Sequence, residues 1–359
     1  MLVEEWGQTK PFELEVLRPQ NDTPEEVVRF SQAEYTDFCH RFRKEITERI
    51  LREDPREALV LANDISEGPD FKLLAAKGYR ILTIWHVDVL AFVTRMYLRG
   101  VFRPETLARF MRPFEAWLPG PLGLVFTNQH NCVRHSTGHI VMTEAMKQTI
   151  LRCYPETPPE KIHVIPWGAP AAGEGAANHD RPLTLLTLSR ISPEKGQHRL
   201  LEALRGYRSR LRVVIAGEAA FMGGAAYAAR LRKLAADLKN VEVIFPGHLS
   251  GQAKWDAFAS ADLYVFPSVS ESYGLTLMEA LSHGLPAVAF DHDGAKAILQ
   301  PQFGVLVKSE EEMLKAIEDL LADRPRRNRM SEAARLYARS RPFSNAAAQV
   351  AELIQQVSL

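Results

Sequence analysis

Glu271 and Glu279 stand eight residues apart in the run Pro267-Ser-Val-Ser-Glu-Ser-Tyr-Gly-Leu-Thr-Leu-Met-Glu-Ala-Leu-Ser-His-Gly-Leu-Pro286. The apolar stretch Leu263–Phe266 before it reads as a strand. Gly274 opens a helix, and Gly284-Leu285-Pro286 ends it. Free backbone N–H groups at a helix start attract phosphate, and a glycine there lets a ligand come close. Glu271 falls just outside this helix and Glu279 more than one turn inside it, so the two carboxylates can address different parts of one extended ligand. A carboxylate accepts two hydrogen bonds from a vicinal diol, which suits ribose and sugar hydroxyls. The plainer alternative makes Glu279 a solvent-facing helix residue and Glu271 a partner of the helix dipole.

The surrounding pattern says what must position these groups. Apolar runs Leu183–Leu188, Leu211–Ala216, Val241–Phe245, Leu263–Phe266 and Ala287–Phe290 alternate with helical stretches around 196–208, 224–238, 251–260, 274–283 and 293–299. That alternation describes a doubly wound parallel sheet, whose ligands bind beyond the carboxyl ends of the strands. Glu310–Ala322 reads as a further helix, Arg324–Arg329 as a short basic turn, and Asn345–Val357 as a final helix.

In the first half, Phe12–Leu17 is an expected strand. Thr23-Pro24-Glu25-Glu26 is an expected start for a helix bearing Tyr35, Phe38, Phe42, Ile46 and Ile50. Ala58–Ala62 and Tyr79–Trp85 flank a helix over Phe71–Lys77 that stops at Gly78, which implies a right-handed parallel crossover. Ile140–Thr143 is a third strand, followed by a helix to about Cys153. Proline and glycine crowd residues 166–181 and mark a boundary. The expected domains are 1–168 and 175–343, with a helix over 344–359 that packs back on the first.

The 359 residues include 44 Lys and Arg against 44 Asp and Glu, a formal net charge of zero. That balance speaks against a protein whose main task is coating nucleic acid. Three widely spaced cysteines, Cys39, Cys132 and Cys153, form no disulfide framework and favour a reducing compartment. Mean hydropathy is −0.17 and no apolar run approaches membrane-spanning length, so a cytoplasmic protein is expected. Residues 91–117 mix Phe92, Phe102, Phe110, Phe114 and Trp117 with five arginines. A solvated helix with an apolar core face is the plain reading; peripheral contact with the inner face of a membrane is the other.

Several segments together resemble the retaining GT-B glycosyltransferases of glycosyltransferase family 4, over most of residues 58–340. The Glu271–Glu279 run is similar to the family's E-x7-E signature. Ser189-Arg190-Ile-Ser-Pro-Glu-Lys195-Gly196 is similar to its G-R-L-x-x-x-K-G segment, with Ser189 for the usual glycine. Val214-Ile-Ala-Gly217-Glu resembles a strand end of the form hydrophobic-G-x-G that lacks its second glycine. Ile244-Phe-Pro-Gly247-His resembles an F-x-G loop, and Val164-Ile-Pro-Trp167-Gly168 a V-I-P-N-G segment with Trp167 for asparagine. Thr83-Ile-Trp-His86-Val-Asp88 resembles a T-x-H-D stretch with one residue inserted before Asp88.

The resemblance implies two Rossmann-like domains facing each other across a cleft, the second holding a UDP- or GDP-sugar and the first an acceptor. It implies transfer of the sugar to an acceptor hydroxyl with retention of configuration, in polysaccharide or glycoconjugate synthesis. Sugars, lipid-linked sugars and small metabolites all remain open as acceptors. It places Arg190 and Lys195 on the donor diphosphate, Glu271 on the donor sugar, Glu279 on the ribose, and His86 near the reacting carbon. Gly274 and Leu275 would offer backbone N–H groups; Thr276, Gly217 and Gly247 complete the expected donor site. Asn63 and Asp64 are expected to face the acceptor. No metal and no cofactor are expected: Asp291-His292-Asp293 falls in a turn, and His130, Cys132, His135 and His139 fall in an expected acceptor-side or solvated loop. A nucleotide-sugar epimerase, an inverting transferase of the same fold, and a non-catalytic donor-binding subunit are the competing readings. Relatives open with a strand, a glycine-rich loop and a helix. Only Gly7 precedes residue 68 here, so that unit is expected to be missing or abbreviated, with the natural chain starting upstream.

Overall fold

The computed structural model describes residues 1–20, 27, 30–63, 65, 67–87, 90, 94, 103–112, 120–175, 182–220 and 223–358. The chain forms two compact units, Met1–Pro166 with Ala346–Leu359, and Trp167–Asn345.

In the first unit, β1 (Leu59–Ala62), β2 (Arg80–Ile84), β3 (Gly138–Val141) and β4 (Ile162–Val164) form a parallel sheet in the order β1-β2-β3-β4. Helices α1 (Leu2–Thr9), α2 (Gln32–Ile50), α3 (Phe71–Ala76), α4 (Pro104–Met111), α5 (Gly120–His135) and α6 (Glu144–Cys153) surround it. Helix α2 starts at Ser31, whose hydroxyl accepts from the Glu34 N–H while the Glu34 carboxylate accepts from the Ser31 N–H. The expected start at Thr23–Glu26, like most of 91–117, lies outside the described residues. Helix α3 ends before Gly78, whose φ of 88° belongs to the left-handed region that stops helices.

Two expectations for this unit are corrected. Phe12–Leu17 is not a strand: Leu14 and Val16 stay exposed, and Phe12 turns to meet the Trp6 ring edge-on at 5.1 Å. Its alternating pattern meets no strand to pair with among the described residues. The run from Asn128 to His135 is not a loop but the second half of α5, with Asn128, Gln129 and Cys132 buried.

In the second unit, β5 (Thr184–Leu188), β6 (Leu211–Ala216), β7 (Val241–Gly247), β8 (Leu263–Phe266), β9 (Ala287–Phe290) and β10 (Gly304–Val307) form a parallel sheet ordered β10-β9-β8-β5-β6-β7. Its helices are α7 (Gln197–Ala203), α8 (Gly224–Ala236), α9 (Gly251–Ala259), α10 (Leu275–Ser282), α11 (Asp293–Lys296), α12 (Glu310–Ala322) and α13 (Arg324–Arg339). Apolar clusters cover both faces of this sheet, one around Leu185, Val213, Val265 and Ile317, the other around Leu186, Tyr264, Leu277 and Ala289. Burial on both faces explains why β8 and β9 read as continuous apolar runs. Arg324–Arg329 is a helix start rather than a turn. The Asp323 carboxylate accepts from the Arg326 N–H and Pro325 occupies the first turn, where its missing N–H costs nothing. A last helix, α14 (Phe343–Ser358), carries the chain from the second unit into the first.

Candidate functional site

The order of the second sheet dictates where its ligand belongs. From β5 the chain winds outward through β6 and β7, then resumes at β8 on the other side of β5 and winds through β9 and β10. Loops leaving β5 and β8 therefore diverge to opposite faces, and the crevice between them lies at the carboxyl ends of adjacent strands. The β5 loop carries Arg190 and Lys195; the β8 loop carries Glu271 and Gly274.

These loops are held together closely. Gly196 has φ 65°, and a Cβ there would run into the Pro267 carbonyl of the other loop. Val269 N–H donates to the Glu194 carbonyl at 3.0 Å. Across the seam Lys195 Nζ donates to Glu271 Oε1 at 2.5 Å, both side chains 14% exposed. On the flank, Gly217 at the end of β6 has φ 142° and leaves no room for a Cβ against the Ser189 carbonyl. Its N–H donates to the Gly247 carbonyl at 2.8 Å, which ties the end of β6 to the end of β7.

Helix α10 begins here. Gly274 is its N-cap and no side chain caps it, so the first-turn N–H groups of Leu275 and Thr276 are left to a ligand or water. The Thr276 hydroxyl is taken by Tyr264, whose OH lies 2.8 Å away and also donates to the Leu188 carbonyl. Burial pushes the Tyr264 phenol up, which keeps it neutral. One turn further on, Glu279 Oε1 accepts from Lys254 Nζ of α9 at 2.6 Å, while Oε2 is closed to solvent and meets no donor among the described residues. Arg190 is half exposed, its Nη2 4.0 Å from Glu194.

The structure thus gathers Arg190, Lys195, Gly217, Gly247, Glu271, Gly274, Leu275, Thr276 and Glu279 at the carboxyl edge of one sheet. Lysine, arginine and free helix N–H groups suit an anion, and the carboxylates suit hydroxyls. Sequence patterns did not reveal Lys254. It sits in no motif and reads as one more cation on an amphipathic helix.

His86 and Asn63 belong to the first unit, just past the ends of β2 and β1, with His86 Nε2 3.1 Å from Asn63 Oδ1. Asp64 lies outside the described residues. Beneath His86 a buried set fixes the end of β2. Trp85 Nε1–H points at Thr83 Oγ1 (3.2 Å) and His139 Nδ1 (3.3 Å), and His139 Nε2 faces the Val133 carbonyl at 3.3 Å. Burial pushes the His139 imidazole down to about 4.

Asp291 pairs with Lys296 at 2.7 Å, and His292 caps α11 by accepting from the Ala295 N–H. Among the described residues no group of three or more His, Cys, Asp or Glu is placed to hold a metal ion. No helix among them is long and apolar enough to cross a membrane.

Residues 174–337 match the family model of glycosyl transferases group 1. The second unit therefore carries a glycosyl transferases group 1 domain, and the site described above lies within it. The chain is 33% identical over 162 residues to a sulfoquinovosyl transferase of Arabidopsis thaliana, covering 44% of this chain and 30% of that one. It is 29% identical over 163 residues to an alpha-monoglucosyldiacylglycerol synthase of Streptococcus pneumoniae, covering 44% and 36%. The chain spans well under half the length of these curated relatives. Among solved structures it is similar to Anabaena HepE in complex with UDP and glucose, with TM-score 0.69, 19% identity and coverage of 87% of this chain and 80% of that one. It is also similar to WaaG, a glycosyltransferase involved in lipopolysaccharide biosynthesis, with TM-score 0.64, 19% identity and coverage of 94% and 85%. Both units thus share the GT-B fold of parallel-sheet α/β domains.

Proposed function

We propose that this chain is a glycosyltransferase that moves a sugar from a UDP- or GDP-sugar to an acceptor hydroxyl, with retention of configuration and without a metal, in glycoconjugate or lipid glycosylation. The observation that carries this is the Lys195–Glu271 bond across the β5–β8 crevice, beside an uncapped helix start and the half-exposed Arg190. A nucleoside diphosphate sugar presents the complementary chemistry. Its diphosphate gains negative charge as the glycosidic bond breaks, and Arg190, Lys195 and the α10 N–H groups stand at one crevice where they can stabilise it, Lys195 by exchanging Glu271 for the phosphate. Glu271 faces the sugar and Glu279 the ribose. The departing diphosphate takes the acceptor's hydroxyl proton, so no side-chain base is required.

A relative named as an alpha-monoglucosyldiacylglycerol synthase supports a lipid-linked or sugar acceptor. Asn63 of the first unit is offered to it and His86 to the reacting carbon, and peripheral contact with a membrane through residues 91–117 fits such an acceptor. The test is incubation of the full chain with UDP- and GDP-sugars, with released sugar followed by NMR. Slow hydrolysis with net retention supports the proposal. Epimer formation, or nucleotide binding without turnover under any donor and acceptor, overturns it. Activity is expected to survive EDTA; a loss restored by Mn²⁺ or Mg²⁺ would refute metal independence.

A further inference from the structure

Both carboxylates of the site are met by lysines, but from different kinds of element. Lys195 stands at the end of a loop and, in the function proposed above, is needed on the diphosphate. Lys254 stands in mid-helix and has no such second task. Its helix α9 is itself pinned. Gln252 Nε2 donates to the Glu174 carbonyl at 2.8 Å, and Gly173 and Gly175 pass so close to Trp255 and its backbone that neither position has room for a Cβ.

Lys254 and Glu279 are 25% and 17% exposed, and Nζ sits 2.6 Å from Oε1. With Oε1 held, Oε2 is the oxygen that lacks a donor. A carboxylate left with one oxygen unmatched is costly, so the orientation that the Lys254 bond imposes on Glu279 carries weight. An ammonium fixed on the neighbouring helix supplies both the opposite charge and the rotamer that this geometry requires.

We propose that Lys254 is a positioning residue for donor recognition: it holds Glu279 oriented so that the carboxylate takes the ribose hydroxyls of a nucleoside diphosphate. This rests on the donor-site reading above, and the experiment separates the two. Calorimetry on the full chain compares UDP and GDP with their 2′-deoxy counterparts. Wild type is expected to prefer the ribonucleotide by about 10-fold, the scale of one charge-assisted hydrogen bond.

Glu279→Gln should bring that preference close to unity. Lys254→Met should weaken ribonucleotide binding by roughly 5–10-fold while leaving the 2′-deoxy affinity nearly unchanged, and Lys254→Arg should restore part of the preference. A merely structural pin would weaken both nucleotides alike. Full discrimination in Lys254→Met, with discrimination lost in Glu279→Gln, overturns the inference alone. Equal loss for both nucleotides in Lys254→Met overturns it too. Failure of the wild type to bind either nucleotide overturns the donor-site reading and the inference with it.

Discussion

The two sheets are built from the same parallel repeats but treat their carboxyl ends differently. The first sheet runs β1-β2-β3-β4 in one direction, and its candidate groups His86 and Asn63 meet at 3.1 Å. The second reverses between β8 and β5, and there two loops share a backbone bond, a glycine-filled contact and an ion pair. Chain reversal creates a crevice with two walls, so charged side chains from both walls can be matched. A sheet edge without one offers a single wall, and its contacts can vary with the ligand. The side proposed for the donor is accordingly the pre-built side.

That contrast breaks most sharply at the seam. Lys195→Ala and Arg190→Ala should each lower turnover by about 10²–10³-fold, the loss seen when one preorganised charge-stabilising group is removed. Wild-type rates in both variants would remove the diphosphate from this crevice.

The first unit is expected to show its rigidity beneath the site rather than in it. His139 accepts from Trp85 at Nδ1 and faces a carbonyl with Nε2, an arrangement that fits the neutral ring; a proton on Nδ1 would oppose the indole N–H. Because burial lowers its pKa to about 4 from 6.5, the unfolded chain binds the proton more readily. Stability from this group is present above pH 6.5 and drains away as pH falls toward 4. Denaturant titrations of wild type and His139→Gln should therefore converge by about 3 kcal/mol between pH 7.5 and 4.5. Parallel curves would show that His139 does not titrate this way.

Glu279→Ala should weaken UDP or GDP by about 1.5–3 kcal/mol, read by calorimetry, as charge-assisted bonds to the ribose disappear. An unchanged dissociation constant would take Glu279 out of the site. Glu271→Gln should act in the opposite sense on the free nucleoside diphosphate. With its ion pair gone, Lys195 is released, and affinity should rise by up to about 5-fold while turnover falls. Weaker nucleotide binding in this variant would mean that Lys195 does not exchange partners.

Much of the second unit was legible because burial on both faces writes strands as apolar runs; Leu263–Phe266 and Ala287–Phe290 match to the residue, as does Leu211–Ala216 despite Arg212 within it. Gly304–Val307 escaped notice as a strand because it lies at the sheet edge, with Leu306 exposed. Ile162–Val164 escaped because it is only three residues long. Arg324–Arg329 misled through composition: arginines read as loop, although Asp323 and Pro325 are a helix start. Phe12–Leu17 misled through pattern, since alternation needs a pairing edge as well as apolar side chains. At the site, residues within motifs were visible, whereas Lys254 was not, because its partner is 25 residues away on another helix and no local pattern marks it.

The second unit enters and leaves at one spot. Ala169 N–H donates to the Arg341 carbonyl at 2.7 Å, and Phe343 N–H donates back to the Ala169 carbonyl at 2.8 Å. It is an insertion with joined ends, closed before the chain is finished. The first unit is the opposite: its Trp6 indole N–H reaches the Ala347 carbonyl, 341 residues on, and its Arg80 guanidinium binds the carbonyl of Ser358. On the ribosome, therefore, the part made second can fold first, and the part made first must wait for the last helix to emerge. A stop codon that removes only α14 would take away the partners of Trp6 and Arg80, and so damage the end of the molecule farthest from it in sequence.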